Sequence, residues 1–316
     1  YSHLHGWISL FVCIFGSIAN VLNILVLTRR EMRSPTNIIL MGLAVADLLV
    51  MIDYIPYAFH FYLYRRSRRD TFTYGWTIFV LFHSNFSQVC HTISICLTLI
   101  LAVWRYVAVA RPQQNREWCS YRRTIFAILI AYIFCPILCI PLYITTEVRK
   151  QVELLDSNGM TVHNRSSDSK RLGYELNFWI YSVVIKLFPC LVLTIVSLKL
   201  LQVLLEAKRR RRKLTNIQEQ NFEKKKSCRR ADKERQTDRT TMMLLAVLLL
   251  FLLTELPQGI LGLFSVLLGP RFFKACYLML GDVIDMLTLV NSAINFILYC
   301  TMSRQFRKTF NELFCK

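Results

Sequence analysis

The first pattern along the chain is a series of long apolar runs separated by short polar connections. Seven runs are long enough to cross a bilayer core, which takes ~20 predominantly apolar residues as a helix. They extend from Trp7 to Thr28, Ile38 to Tyr62, Trp76 to Val109, Thr124 to Tyr143, Phe178 to Leu205, Thr241 to Leu268, and Phe273 to Thr301. Each run is continuously apolar and does not alternate in strand-length units, so helices are predicted and a β-barrel is not. The pattern predicts an all-α, integral membrane, seven-transmembrane helix bundle that forms a single domain over 1–316. A shorter segment, 303–314, places Phe306 and Phe310 four residues apart, on one face of a short amphipathic eighth helix lying against the membrane.

Composition sharpens this picture. The 316 residues are 54% hydrophobic yet carry a formal net charge of +19. A basic chain can be a nucleic-acid binder or a membrane protein holding its cations on one side. The connections 29–35, 110–123 and 206–239 and the tail from 302 hold 25 Lys and Arg, against 11 in 63–75, 145–176 and 269–275. By the positive-inside rule the first group is cytoplasmic, so the N-terminus is outside and the C-terminus inside. The six consecutive basic residues Lys208 to Lys213 then lie beside anionic lipid, and no nucleic-acid partner is expected. The stretch Arg65-Arg66-Ser67-Arg68-Arg69 breaks the rule locally. The eleven cysteines show neither a disulfide framework nor metal-ligand spacing, and most read as small buried apolar residues. Asn164 opens a glycosylation sequon in the long outer connection, whereas the sequon at Asn85 falls inside a span. The chain starts almost directly in an apolar run, so its native N-terminus is expected to lie upstream of Tyr1.

Polar side chains inside the spans carry the chemistry, because an ionisable group there costs roughly 2.5–3.5 kcal/mol on insertion scales unless it faces a cavity or a partner. Asp47 lies midway along the second span, with Asn20, Ser94, Asn291, Ser292 and Asn295 on other spans able to converge on it. That set is either a satisfied structural network or a small-cation site. In the third span Ser84, Ser87, Gln88, His91, Ser94 and Thr98 recur at spacings of three and four and share a face. The outer half of this stripe is the candidate ligand wall and the inner half is structural. Asp53, Glu255, Asp282 and Asp285 are further acids in or near spans. Glu255 sits beside the kink expected at Pro257, and Asp282 and Asp285 share a face. Lys186 in the fifth span is a candidate internal partner for one of these acids.

These residues stand where the rhodopsin-like (class A) G protein-coupled receptors carry their signatures, and the chain resembles that family over all seven spans. Gly16 to Asn20 looks like the first-helix pattern, and Leu43-Ala44-Val45-Ala46-Asp47 like the second. Trp104-Arg105-Tyr106 stands where Asp-Arg-Tyr is usual, and Pro189 and Pro257 match the fifth- and sixth-helix prolines. Asn295-Phe296-Ile297-Leu298-Tyr299 stands where Asn-Pro-x-x-Tyr is usual. Departures narrow the field. Trp104 replaces the acid, Phe296 the proline and Glu255 the tryptophan above Pro257; the fourth span lacks its tryptophan, and residues 145–177 hold no Cys for the usual outer disulfide. Together with Leu252-Leu253-Thr254-Glu255-Leu256-Pro257 and Arg30 to Asn37, they resemble the myosuppressin/FMRFamide-like neuropeptide receptors of invertebrates, a group similar to the nematode Srw-type receptors.

The resemblance implies a plasma-membrane receptor for an extracellular amidated peptide ending in Arg-Phe, with no enzymatic activity. A heterotrimeric G protein of the inhibitory type and arrestin are its implied inner partners. A chemosensory receptor for a small cationic ligand is the alternative, and a transporter a remote one. A ligand guanidinium needs a carboxylate, for which Glu255, Asp282 and Asp285 are candidates. The terminal Phe-amide calls for Tyr54, Tyr57, His91 and Gln88. Arg105, Tyr106, Pro257 and Tyr299 are the implied switch and coupling residues. Asp47, Ser94, Asn291 and Asn295 match the family's sodium site, the ion acting as an allosteric modulator rather than a cofactor. Cys315 matches a palmitoylation position. With Trp104 in place of the acid, the resting restraint on Arg105 is expected to be weaker or different, and basal signalling raised.

Overall fold

The computed structural model describes residues 2–64, 73–145, 180–218, 245–246, 249–250, 252–265, 267–268, 272 and 278–314. Helices dominate, and no strand occurs among the described residues. In chain order they are α1 (Ser2–Leu27), α2 (Pro35–Ala58), α3 (Tyr74–Ala110), α4 (Pro112–Trp118), α5 (Tyr121–Leu138) and α6 (Ile140–Thr145). There follow α7 (Phe188–Gln218), α8 (252–265), α9 (Leu278–Met302) and α10 (Arg304–Phe314). Six helices among the described residues are long and apolar enough to cross a membrane. The expected sixth span, 241–268, lies partly outside the described residues, and α8 is its longest described stretch. Asn164, Cys315 and most of the long outer connection also lie outside them.

Local chemistry sets the ends and bends. The hydroxyl of Ser34 accepts from the Asn37 N–H at 3.2 Å, and Pro35 follows at the first turn, where a missing N–H costs nothing. Pro56 inside α2 removes one backbone hydrogen bond, and the helix widens into a π turn over Phe59–Leu63. A second π stretch, Ile180–Leu187, leads into α7 just before Pro189. Its wider turn rotates the side chains that follow, and Lys186 ends up in the interior.

α1 packs on α2 and α9, α2 on α3, and α3 on α5 and α7. At Gly16 an added Cβ would stand 3.0 Å from Met51 Sδ and 3.1 Å from the Ala293 Cβ, so a glycine lets α1 approach α2 and α9 together. Val26, Leu40, Leu43, Ile95, Leu101 and Leu193 form one buried cluster, with Tyr299 and Phe306 at its edge. A second cluster joins Cys13, Val50, Met51, Tyr54, Cys90 and Leu289. Outside the bundle, Trp7, Phe11, Phe126, Ile133, Leu191 and Leu253 are exposed on long helices. Lipid is the solvent that accepts such a belt.

α10 departs from one expectation. Phe306 does not face lipid. It is buried against the bundle, with its ring centroid 6.0 Å from Phe296 and 5.8 Å from Tyr299. The Arg307 guanidinium donates to the Cys300 and Thr301 carbonyls at 2.9 and 2.7 Å, groups that the end of α9 leaves without a helical partner. The aromatic residue that replaces the usual seventh-helix proline, Phe296, is thus a docking surface for α10.

Candidate functional site

The N-terminal ends of α1, α3 and α9 and the C-terminal end of α2 bring tyrosines, histidines and acids together. Asp53 Oδ2 lies 2.6 Å from His83 Nδ1, with both side chains almost wholly buried. Tyr57 stacks on the His83 ring at 4.3 Å and 17°. The Tyr54 hydroxyl sits 3.4 Å from His5 Nε2, and the Tyr62 hydroxyl donates to Asp282 Oδ1 at 2.9 Å. Asp285 has no hydrogen bond or ion pair among the described residues. It is solvent-accessible, yet stands within electrostatic reach of Tyr54, Tyr57, Asp282, His83 and Lys186. Asp282 and Asp285, three residues apart, present two carboxylates on one helix face, and neither makes an ion pair among the described residues.

Deeper in the bundle the geometry changes the role of Glu255. Its side chain is fully buried, as is that of Lys186. Lys186 Nζ donates to Glu255 Oε2 at 2.5 Å and to Gln258 Oε1 at 2.9 Å. His91 Nε2 lies 2.9 Å from the same carboxylate oxygen and donates to it, since a carboxylate only accepts. Glu255 is therefore not an open anchor for a ligand guanidinium; an internal cation already holds it. Gln88 stands half-buried one turn outward from His91 and bonds Thr92 Oγ1 at 3.3 Å.

Below this level Asp47 is buried. Ser94 donates to its Oδ1 at 2.8 Å and Asn295 to its Oδ2 at 3.0 Å, with the Ser292 hydroxyl also close. Asn20 bridges Gly16 O and Ser292 O at 3.0 Å each. No described residue supplies a cation to Asp47. A buried carboxylate met only by neutral donors, beside hydroxyl and amide oxygens, fits a small monovalent ion. Asn291 is half-buried nearby in sequence but makes no hydrogen bond to Asp47. Three-residue His, Cys, Asp and Glu groupings able to hold a metal do not occur among the described residues.

At the inner end Trp104 has its own task. Its indole N–H donates to Thr124 Oγ1 at 3.0 Å, tying α3 to α5. Arg105 has no acid partner among the described residues, and its buried Nε has no hydrogen bond there. Tyr106 is half-buried, Pro257 lies exposed within α8, and Tyr299 packs on Phe306 with no hydrogen bond to Arg105. Sequence reasoning missed the role of His83, although His83, Ser87 and His91 recur every four residues on one face of α3. Gln258 carried no such signal.

Residues 7–316 match the family described as serpentine type 7TM GPCR chemoreceptor Srw. This chain is a member of that family. The receptor is 30% identical to the sex peptide receptor of Drosophila melanogaster, over 98% of this chain and 72% of that protein. It is 29% identical to the G protein-coupled receptor dmsr-1 of Caenorhabditis elegans, over 99% of this chain and 68% of that protein. It is 25% identical to the FMRFamide receptor of Drosophila melanogaster, over 96% of this chain and 52% of that protein. The family makes it a multi-pass membrane receptor coupled to G protein and not an enzyme.

Proposed function

We propose that this receptor sits in the plasma membrane with its N-terminus outside and responds to an extracellular amidated neuropeptide ending in Arg-Phe. The observation that carries the reading is the pair Asp282 and Asp285, presented on one face of α9 beside Tyr54, Tyr57 and Tyr62. A guanidinium can bridge or fork onto such carboxylates and stack on tyrosine rings. The names of its relatives support a peptide: one is a sex peptide receptor and one an FMRFamide receptor. The Phe-amide end would lie deeper, toward Gln88 and the ring of His91.

Inside the cell, Arg105 and Tyr106 would meet a heterotrimeric G protein once α8 swings outward about Pro257, with Tyr299 repacking beside Asp47. The subgroup resemblance favours an inhibitory G protein, with arrestin as a later partner. A sodium ion at Asp47 and Ser94 would favour the resting arrangement by satisfying the buried carboxylate.

The test uses cells expressing the full chain. A series of peptides ending in Arg-Phe-amide is applied to wild type, D285N and D282N, reading cyclic AMP and calcium at matched surface density. A charge-assisted hydrogen bond is worth about 1.5–3 kcal/mol, so D285N should lose at least about tenfold in potency. Wild-type potency in both variants removes the arginine anchor. Silence toward every such peptide, with responses to small amines, returns the chemosensory reading.

A further inference from the structure

At the inner end of α3 no ion pair restrains Arg105 among the described residues, but another tie lies higher in the bundle. One oxygen atom, Glu255 Oε2, receives both Lys186 Nζ and His91 Nε2, and Lys186 also holds Gln258. These groups come from α3, α8 and the π stretch that precedes α7. We propose that this Lys186–Glu255–His91 cluster is the activation lock of the receptor, holding α8 against α3 and α7 until a signal re-pairs it. The proposal rests on G protein coupling through movement of α8 and not on the identity of the ligand.

Four observations converge on it. First, Lys186 and Glu255 are 1% and 0% exposed, so water does not screen the pair. Second, Glu255 lies two residues before Pro257, at the pivot of α8. Any rotation of α8 there must stretch the contact to His91 or the contact to Lys186. Third, Gly259 lets the helices close on the pair. A Cβ there would meet Leu187 Cδ2 at 3.0 Å and the Lys186 Cβ at 3.3 Å. Fourth, the second carboxylate oxygen, Glu255 Oε1, is buried with no hydrogen bond among the described residues. Such a group is costly. A turn of α8 that offers Oε1 a donor would recover what it loses at Oε2, and two packings of near-equal free energy are what a switch needs.

A structural role alone predicts something different. Removing one partner of a buried pair destabilises the fold, whereas replacing both by apolar groups of similar volume is often neutral. The double variant K186M/E255L therefore separates the two roles. Ligand-free G protein activation is measured per surface receptor for wild type, E255Q and K186M/E255L, using nucleotide-exchange sensors for each G protein class. The lock predicts at least fivefold higher basal activation in K186M/E255L, and a rise of the same sign in E255Q. Basal activation equal to wild type in a surface-expressed K186M/E255L overturns the proposal. So does failure of both variants to reach the surface, because the cluster would then only hold the fold. A wild-type receptor silent to all Arg-Phe-amide peptides removes the ligand reading but leaves this comparison intact.

Discussion

The Asp53–His83 pair invites a direct energetic test. Replacing His83 by Leu keeps an apolar body of comparable size but leaves Asp53 buried without its partner at 2.6 Å. Breaking a buried pair costs about 3–5 kcal/mol, and the lost stacking on Tyr57 adds about 0.5–1.5 kcal/mol. The double variant D53N/H83L loses the same stacking but carries no stranded charge. Its deficit should shrink to about 1–2 kcal/mol, so it should be at least about 2 kcal/mol more stable than H83L. That difference is about thirtyfold or more in the folded-to-unfolded ratio. The assay is the fraction of receptor reaching the cell surface, together with the survival of detergent-solubilised receptor on heating. H83L should be poorly expressed and heat-labile, and D53N/H83L should recover most of both. If the double variant is as damaged as H83L, the pair is not an energetic unit and His83 acts only through packing. If H83L matches wild type, Asp53 is stabilised by something other than His83.

Two further predictions concern the inner half. D47N should abolish any sodium dependence of agonist affinity, since the amide keeps the size of the carboxylate and one of its two acceptor oxygens but not the charge; agonist binding with and without sodium in wild type and variant decides it. F306A should cost about 3–5 kcal/mol of docking between α10 and α9, because the ring is buried against Phe296 and Tyr299. Its readout is heat-lability of the solubilised receptor, and wild-type stability would refute the docked α10.

The bundle was legible because bilayer thickness turns composition into length, and few other folds need runs such as Ile38 to Tyr62. The polar positions were legible for the related reason that lipid tolerates them only for cause. Asp47 with Ser94 and Asn295 follows from that logic, and these residues do meet. What residue types inside spans do not reveal is which acid meets which cation. Glu255, Asp282 and Asp285 looked equivalent as carboxylates near the outer half. The difference is made by Lys186, which reaches Glu255 through the π stretch before Pro189 and the close approach at Gly259. Neither a π turn nor an interhelical distance has a signature in hydrophobic period. The Asp53–His83 pair was hidden for a different reason: His83 belongs to the period-four row with Ser87 and His91, but two turns along that row change the helix it meets, from α2 at His83 to α8 at His91.

The five acids inside the bundle differ in what meets them. Asp53 is matched by His83 and Glu255 by Lys186, each within the protein. Asp47 meets only neutral hydrogen-bond donors among the described residues, and Asp282 meets a tyrosine hydroxyl. Asp285 alone among these five acids has neither a hydrogen bond nor an ion pair among the described residues, and it is open to solvent. A solvent-open carboxylate without an ion pair of its own is available to an arriving cation. On the proposed readings, the contribution to affinity concentrates at Asp285 and the contribution to switching at Glu255, deeper in the bundle beside the pivot. Variants should separate accordingly: D285N should shift agonist potency with little change in basal signalling, and E255Q should shift basal signalling first. A single variant that moved both quantities equally would show that one acid serves both tasks and would undo this division.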